Sequence, residues 1–216
     1  QLDSKPTGIL LNSSFFIMNI LRFEKMPFNK KKLDDIVHWR IEKIFPEKLD
    51  QYIHHYYKLN TDNILSILIP KETKDRIDNL FFRLGVKQRY MGCSTIEIIN
   101  SLYRSQSPLV FPGSGRQLPD FFVEIWGNAA TLVYQNRRTP LYIRKFNFND
   151  IKDLNSEISK TLNYIISTFT LTPALYSVFM NHNEMDPGQI KPDLEAADPV
   201  QFPVSDINSL VDGVSQ

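Results

Sequence analysis

Residues 120–146 read DFFVEIWGNAATLVYQNRRTPLYIRKF, a sequence that predicts three consecutive strands. Its three apolar runs are rich in the aromatic and β-branched residues that strands favour; they are 121–126, 130–135 and 141–146. Two short polar segments separate them, Gly127-Asn128 and Asn136-Arg137-Arg138. Runs joined by such turns predict an antiparallel meander. The meander leads into a long helix predicted over 154–169.

Strands and helices alternate along the rest of the chain, which indicates an α/β fold. Extended segments are predicted in two stretches of 9–23 and at 51–59, 64–69, 86–91, 174–180 and 200–202. Helices are predicted at 30–45, 71–84 and 95–103, with a last helical turn at 205–211. The helix over 71–84 has apolar residues at helical spacing, and we expect them to be buried; they are Ile77, Leu80, Phe81 and Leu84. Gly85 stands where a C-terminal cap belongs.

The composition limits the classes of protein that this chain can belong to. It has 216 residues, 42% of them hydrophobic and 23% charged, with a formal net charge of +1. These values are ordinary for a globular domain and give no electrostatic reason to expect a nucleic-acid partner. The single cysteine, Cys93, excludes an intramolecular disulfide, and we expect it to be a small buried residue. No apolar run approaches the ~18 residues that would predict a membrane span.

The start of the chain and the segment 105–119 bear on how the chain is divided into regions. The first residue is Gln and not an initiator Met, which indicates a fragment. No signal peptide is predicted at this end. Residues 105–119 are rich in Ser, Pro and Gly and predict a linker or loop between two regions, 1–104 and 120–216. Within it, Gly113-Ser114-Gly115-Arg116 is a flexible loop rather than a phosphate cradle, because it leads to a strand and not to a helix N-terminus.

The histidines do not predict a metal site. His54 and His55 are adjacent in a predicted strand, so they point to opposite faces and cannot readily bind one ion. His38 and Glu42 share a helix face at i, i+4, but the rest of the zinc pattern is missing, and we expect an ordinary surface contact. The group His182, Glu184 and Asp186 is interpreted as a hydrated turn. No metal is expected.

The order of these pieces resembles the PilM-type proteins of type IV pilus assembly and, more distantly, the cytoplasmic L components of type II secretion, both in the actin-like family. Residues 15–46 resemble the inserted subdomain of that family through Leu21-Arg22-Phe23, the Met26-Pro27 break and the helical VHWRIEK of 37–43. The strand, Pro-Lys-Glu, helix and Gly-Val progression of 64–86 follows the family order, and 120–146 provides the hairpins of its second half. The resemblance spans about 10–170.

This resemblance implies an actin-like, ribonuclease H-like α/β fold of mixed sheets flanked by helices, present here in incomplete form. Residues 1–104 would hold the inserted subdomain and the return to the first half. Residues 120–216 would form a second-half subdomain with a Pro-rich tail.

The nucleotide elements of the family are altered in this sequence. The hairpin that would meet phosphate has Glu124 where Asp is expected, Trp126 or Gly127 where Gly is expected, and Thr131 as the one matching hydroxyl. The first phosphate hairpin has no counterpart, and Asn181-His182-Asn183-Glu184 replaces the Gly-Gly adenosine motif. Glu124, Gly127 and Thr131 are therefore interpreted as a vestigial hairpin. No catalytic residue and no cofactor, ATP included, is expected.

The resemblance implies a non-catalytic cytoplasmic scaffold that is peripheral at the bacterial inner membrane. Its expected partner is a membrane-anchored assembly protein that contributes a short cytoplasmic peptide; an assembly ATPase and a second copy of the chain are further partners that it allows. The candidate peptide-binding residues lie on one strand and one helix; they are Phe16, Met18, Ile20, Ile36, Trp39 and Arg40.

Two alternatives remain open at the level of sequence. The first is an ATPase of the actin and sugar-kinase class that takes phosphate-binding residues from upstream of Gln1, with Glu124 replacing Asp. The second is a free-standing α/β interaction domain.

Overall fold

The computed structural model describes residues 7–45, 49–104, 120–136, 139–169, 176–181, 189–190 and 204–206. The strands are β1 (Thr7–Leu11), β2 (Ile17–Arg22), β3 (Tyr52–Lys58), β4 (Asn63–Pro70), β5 (Gln88–Cys93), β6 (Phe121–Trp126), β7 (Ala129–Asn136), β8 (Thr139–Asn147), β9 (Tyr176–Asn181) and β10 (Val204–Asp206). The α-helices are α1 (Lys30–Ile44), α2 (Lys71–Arg83), α3 (Ser94–Arg104) and α4 (Ile151–Phe169). The chain divides into two compact units, Gln1–Ser94 and Thr95–Gln216.

The first unit contains an antiparallel sheet in the order β2-β4-β3, with α1 packed on one face. Asn29 caps α1, since its side-chain oxygen accepts a hydrogen bond from the backbone N–H of Lys32. The apolar face of α1 meets alternate residues of β2 and β4 in a core; its buried members are Leu21, Phe23, Met26, Leu33, Val37, Ile41, Ile64 and Leu68. The predicted helix at 30–45, the second extended stretch of 9–23 and the predicted strands at 51–59 and 64–69 are confirmed as α1, β2, β3 and β4.

The first unit also contains the parallel pair β1-β5 and the helix α2. Gly85 has φ +64 and ends α2, with its N–H bonded to the carbonyl of Phe82 and the N–H of Val86 bonded to that of Phe81. This is the Schellman motif, so the predicted cap is confirmed.

The predicted burial along α2 was wrong. Leu80 and Leu84 are 53% and 55% exposed, Ile77 and Phe81 are half-buried, and no residue of α2 is fully buried. Helical spacing shows which side chains share a face, but whether another element covers that face is a tertiary property.

The second unit contains a five-stranded sheet in the order β10-β9-β6-β7-β8. β6, β7 and β8 are antiparallel neighbours, as 120–146 predicts, whereas β9 runs parallel to β6 and β10 runs parallel to β9. Helix α4 follows the meander in the chain and packs on one face of it. The buried core between them includes Phe121, Val123, Ile125, Leu132, Tyr134, Leu154, Ile158, Leu162 and Ile165.

Three expectations concern the unit boundary and the C-terminal part. The boundary between the two compact units lies between Ser94 and Thr95, so α3 groups largely with the second unit. Ser205 and Asp206 belong to β10 and not to the predicted helical turn, because pairing with β9 holds them extended. The predicted linker 105–119, the group 182–186 and the strand 200–202 lie outside the described residues.

Candidate functional site

The hairpin between β6 and β7 is the candidate nucleotide element. Glu124 and Thr131 are directly opposite each other in the antiparallel ladder, and each is only 1% exposed. Gly127 in the turn has φ +57, a conformation that favours glycine, and it is exposed. The structure therefore brings Glu124 and Thr131 together inside the unit and leaves Gly127 at the solvent end.

The carboxylate of Glu124 has a partner in α3. Glu124 lies on the face of β6 away from α4, because Val123 and Ile125 on either side of it belong to the core beneath α4. The hydroxyl of Thr95, in the first turn of α3, donates a hydrogen bond to Glu124 Oε2. Thr95 is fully buried. A carboxylate near a helix N-terminus also gains from the helix dipole.

The exposed end of the same hairpin carries an aromatic residue. Trp126, the last residue of β6, is 38% exposed and is followed by Gly127. A ligand phosphate that approached this turn would meet the indole of Trp126, whereas the buried Glu124 is already an acceptor for Thr95. Sequence reasoning placed Glu124 at this hairpin but did not find Thr95, which lies 29 residues earlier in the chain.

The predicted peptide-binding residues lie on two sides of the β2-β4-β3 sheet. Ile17 and Leu21 of β2 pack toward α1, so the alternate residues Met18 and Ile20 point to the other face. Met18 is 9% exposed and Phe16, just before β2, is 6% exposed, while Ile20 is half-buried.

Met18 is covered in part by Cys93 of β5. The Cys93 thiol is 3.9 Å from the Met18 sulfur and is 5% exposed, as expected for a small buried residue.

The helical members of the predicted set belong to α1. Ile36 packs against the core beneath the helix. Trp39 is 52% exposed, with Lys43 Nζ 3.9 Å from the centre of its ring. The Arg40 guanidinium lies 4.2 Å from the ring centre of Phe23 and donates to the backbone carbonyl of Arg22. The structure therefore does not gather Ile36, Trp39 and Arg40 with Met18 and Ile20 into one groove.

The sheet face away from α1 carries apolar residues that sequence reasoning did not select. Ile67 of β4 and Ile53 of β3 are half-buried, and Tyr57 of β3 is 56% exposed. The ladder places Ile20 and Tyr57 on either side of Leu65, and Ile53 beside Ile69. The run 64–69, apolar at every position except Ser66, was the available signal, because a strand with one solvent-exposed face usually alternates apolar and polar residues. We call Ile20, Ile53, Tyr57 and Ile67 the open sheet face.

His54 and His55 alternate along β3, and His38 contacts Glu42 on the surface of α1, as the sequence predicts. His54 Nε2 lies 2.9 Å from Ser66 Oγ, and burial, His38 and His55 together lower the pKa of His54. His55 is exposed on the opposite face. His38 and Glu42 form a surface contact of 3.2 Å. Within the part of the chain that the structure describes, no group of three or more His, Cys, Asp or Glu could hold a metal ion.

Solved structures share the fold of this chain. The cytoplasmic domain of EpsL, an inner membrane component of the type II secretion system of Vibrio cholerae, has a TM-score of 0.59 at 10% identity over 98% of this chain and 74% of that domain. A chain of the PilM-PilN type IV pilus biogenesis complex has a TM-score of 0.59 at 13% identity over 79% of this chain and 61% of that one. A Bacteroides thetaiotaomicron protein with an actin-like ATPase fold and unknown function has a TM-score of 0.49 at 13% identity, over 86% of this chain and 63% of that one.

These likenesses define the fold. The chain shares the α/β fold of the EpsL cytoplasmic domain and of the matched chain of the PilM-PilN complex, so the fold that its resemblance to PilM-type and type II secretion L proteins implied is confirmed. It spans less than two thirds of the PilM-PilN and Bacteroides chains. Its sequence matches no protein-family model and no curated protein. Within the described residues, no helix is both long and apolar enough to cross a membrane.

Proposed function

We propose that this protein is a non-catalytic scaffold of an inner-membrane assembly of the pilus or secretion kind, and that it binds a short peptide of a membrane-anchored partner on the open sheet face. The proposal includes a cytoplasmic location at the membrane surface. The fold supports it, because the EpsL cytoplasmic domain and a chain of the PilM-PilN complex, both from such machines, share this fold.

The observation that carries the proposal is the apolar character of the open sheet face. Three neighbouring strands each contribute a large side chain that retains contact with solvent: Ile20 from β2, Ile67 from β4, and Ile53 and Tyr57 from β3. Buried Leu65 and Ile69 form the floor between them. The exposed His55 of β3 is on the same face, directly opposite Ile67 in the ladder. A surface with several apolar side chains, one phenol and one imidazole suits a peptide that inserts alternate apolar residues and offers a polar partner to His55.

The hairpin supports the non-catalytic part of the proposal. Glu124 is 1% exposed and accepts a hydrogen bond from Thr95, so its carboxylate is engaged inside the second unit. Carboxylates that bind Mg²⁺ in a nucleotide site must instead face the phosphates. We therefore propose that this hairpin has a structural role, held by the Thr95 contact.

The experiment is site-specific photocrosslinking in cells that contain the assembly. A photoreactive phenylalanine analogue replaces Ile20 or Ile67, and in a control it replaces Phe82, which is 84% exposed on α2. We expect the first two positions, and not the third, to crosslink to the cytoplasmic segment of a membrane-anchored protein, identified by mass spectrometry of the crosslinked peptide.

A second measurement follows the same partner without crosslinking. Ile67→Asp places a charge on the open sheet face, and we expect it to reduce co-purification of the partner by more than tenfold, since a desolvated charge opposes docking. Phe82→Asp is the matched control. Equal crosslinking at all three positions, or co-purification that Ile67→Asp leaves intact, would reject the open sheet face as the peptide site.

A further inference from the structure

An aromatic side chain stands in solvent beside a run of lysines in the segment that leads into α1. Phe28 is 98% exposed. Lys25 precedes it, and Lys30, Lys31 and Lys32 follow it; all four lysines are exposed. Single exposed apolar residues are common on protein surfaces. A phenylalanine with nearly its whole surface in water and four exposed lysines close to it in the sequence indicates a binding surface more specifically than a single exposed apolar residue does.

The exposure of Phe28 is set by the residues on both sides of it. Met26, two residues before, is 7% exposed and belongs to the core beneath α1. Asn29, one residue after, accepts a hydrogen bond of 3.1 Å from the backbone N–H of Lys32 and caps the helix. Because the segment is anchored at both points, Phe28 is presented outward in a defined place.

The lysines are available to an external anion. Within the described residues, none of the four forms an ion pair with a carboxylate. Of the nearby acids, Asp34 accepts a hydrogen bond from the Tyr56 hydroxyl, on the sheet side of α1, and Glu24 and Asp35 are exposed. Three lysines in the first turn of a helix oppose the helix dipole, so they do not stabilise the helix itself.

We propose that residues 25–32, the lysine-phenylalanine segment, dock on a bilayer surface that contains anionic phospholipid. The ammonium groups meet lipid phosphates while the ring of Phe28 enters the boundary between headgroups and acyl chains. A bilayer fits better than a nucleic acid, because the four exposed lysines flank one exposed apolar ring in the sequence and the chain as a whole has a net charge of only +1. This inference goes beyond the scaffold role and does not depend on the peptide site.

The test is flotation of the whole chain with vesicles. The probes are vesicles of phosphatidylcholine alone and of phosphatidylcholine with phosphatidylglycerol at a molar ratio of roughly two to one. We expect the chain to float with the anionic vesicles only, and to be released by about 0.5 M salt, where charge attraction is screened.

Variants assign the binding to the segment. Lys30→Gln/Lys31→Gln/Lys32→Gln should weaken it about a hundredfold, since each lysine near an anionic surface contributes about fivefold. Phe28→Ser should weaken it about tenfold. The matched controls remove three exposed lysines elsewhere, Lys58→Gln/Lys71→Gln/Lys87→Gln, or another exposed phenylalanine, Phe82→Ser; both should bind like the natural chain.

A fluorescence measurement separates insertion from charge attraction alone. In a chain in which Trp39 and Trp126 are phenylalanine, Phe28→Trp provides a single indole. Its emission should shift to shorter wavelength with anionic vesicles and be quenched by brominated acyl chains. The proposal is overturned if the chain does not float, if the lysine controls lose as much binding as the segment variant, or if the indole emission does not change. Competition by short duplex DNA at equal charge would reassign the patch to nucleic acid and would overturn it as well.

Discussion

The hydroxyl of Thr95 and the carboxylate of Glu124 form a hydrogen bond between α3 and β6, with both residues at most 1% exposed. The pair lies on the face of the second-unit sheet that α4 does not cover. A buried carboxylate needs such a donor, because a charge taken from water without a partner is costly. The contact thereby joins the first turn of α3 to the hairpin whose sequence departs from a phosphate-binding one.

The first prediction concerns this hydrogen bond. Thr95→Val keeps the shape of the side chain and removes the donor, so the free energy of unfolding should fall by about 1–3 kcal/mol. Glu124→Gln in the same background should recover part of the loss, because an amide is cheaper to bury than a carboxylate. Urea unfolding of the natural chain, the two single variants and the double variant measures the coupling free energy between the two side chains. Additive effects of the two changes would show that Thr95 and Glu124 act independently.

The second prediction concerns nucleotides. Mg-ATP and Mg-ADP should leave the melting temperature unchanged, because Glu124 is buried against Thr95 and Trp126 occupies the solvent end of the hairpin. A ligand that binds only the folded chain at a hundred times its Kd would add ~2.7 kcal/mol, a shift that thermal melting detects easily. A clear rise in Tm, supported by heat of binding in calorimetry, would contradict this prediction and favour the ATPase alternative over the non-catalytic scaffold.

The third prediction concerns the end of α2. Gly85 has φ +64 and a Cβ at this position would meet no atom within 4 Å, so the cost of Gly85→Ala comes from the backbone alone. We expect a loss of about 1–2 kcal/mol. Gly85→Asn should lose clearly less, since Asn tolerates the left-handed conformation. Chemical denaturation compares the two variants; an Ala variant as stable as the Asn variant would contradict the assignment of the loss to backbone strain.

The fourth prediction concerns pH and Glu157 of α4. Hydrogen bonds from Lys160 and Arg144 hold the pKa of Glu157 below its ordinary value of 4.5, although burial acts in the opposite direction. A carboxyl whose pKa is depressed by folding stabilises the protein above that ordinary value, and the contribution is lost as the pH falls through the lower folded pKa. The difference in unfolding free energy between the natural chain and Glu157→Gln should therefore narrow from about pH 7 to about pH 3.

Glu72→Gln is the control for this effect. Glu72 pairs with Arg76 on an exposed helix surface, with side chains 74% and 78% exposed, and such pairs contribute little. Denaturant titrations at about pH 7 should show a smaller difference from the natural chain for this variant than for Glu157→Gln. A difference for Glu157→Gln that does not change with pH would mean that its ion pairs do not shift the folded-state titration.

What the sequence determined is largely local. The apolar runs and polar turns of 120–146 predicted the β6-β7-β8 meander, and the helical spacing of Leu33, Ile36, Val37, Ile41 and Ile44 predicted α1. Both patterns depend on which side chains share a face within one segment, although the structure leaves Ile44 48% exposed. Gly85 also predicted the end of α2 correctly, because a left-handed conformation at a helix end is a local property of the backbone that glycine favours. The sequence also showed that Glu124 and Trp126 depart from the phosphate-binding pattern, and it placed both residues at the hairpin between β6 and β7.

Tertiary structure alone decided which faces are covered and which distant groups meet. Strand alternation and the docking of α1 separated Met18 and Ile20 from Trp39 and Arg40, which sequence had placed in one set. Packing left Leu80 of α2 in solvent, and it brought Thr95 to Glu124 across 29 positions. Periodicity records the preference of a side chain for an apolar or a polar environment, whereas its partner depends on contacts between segments far apart in the chain.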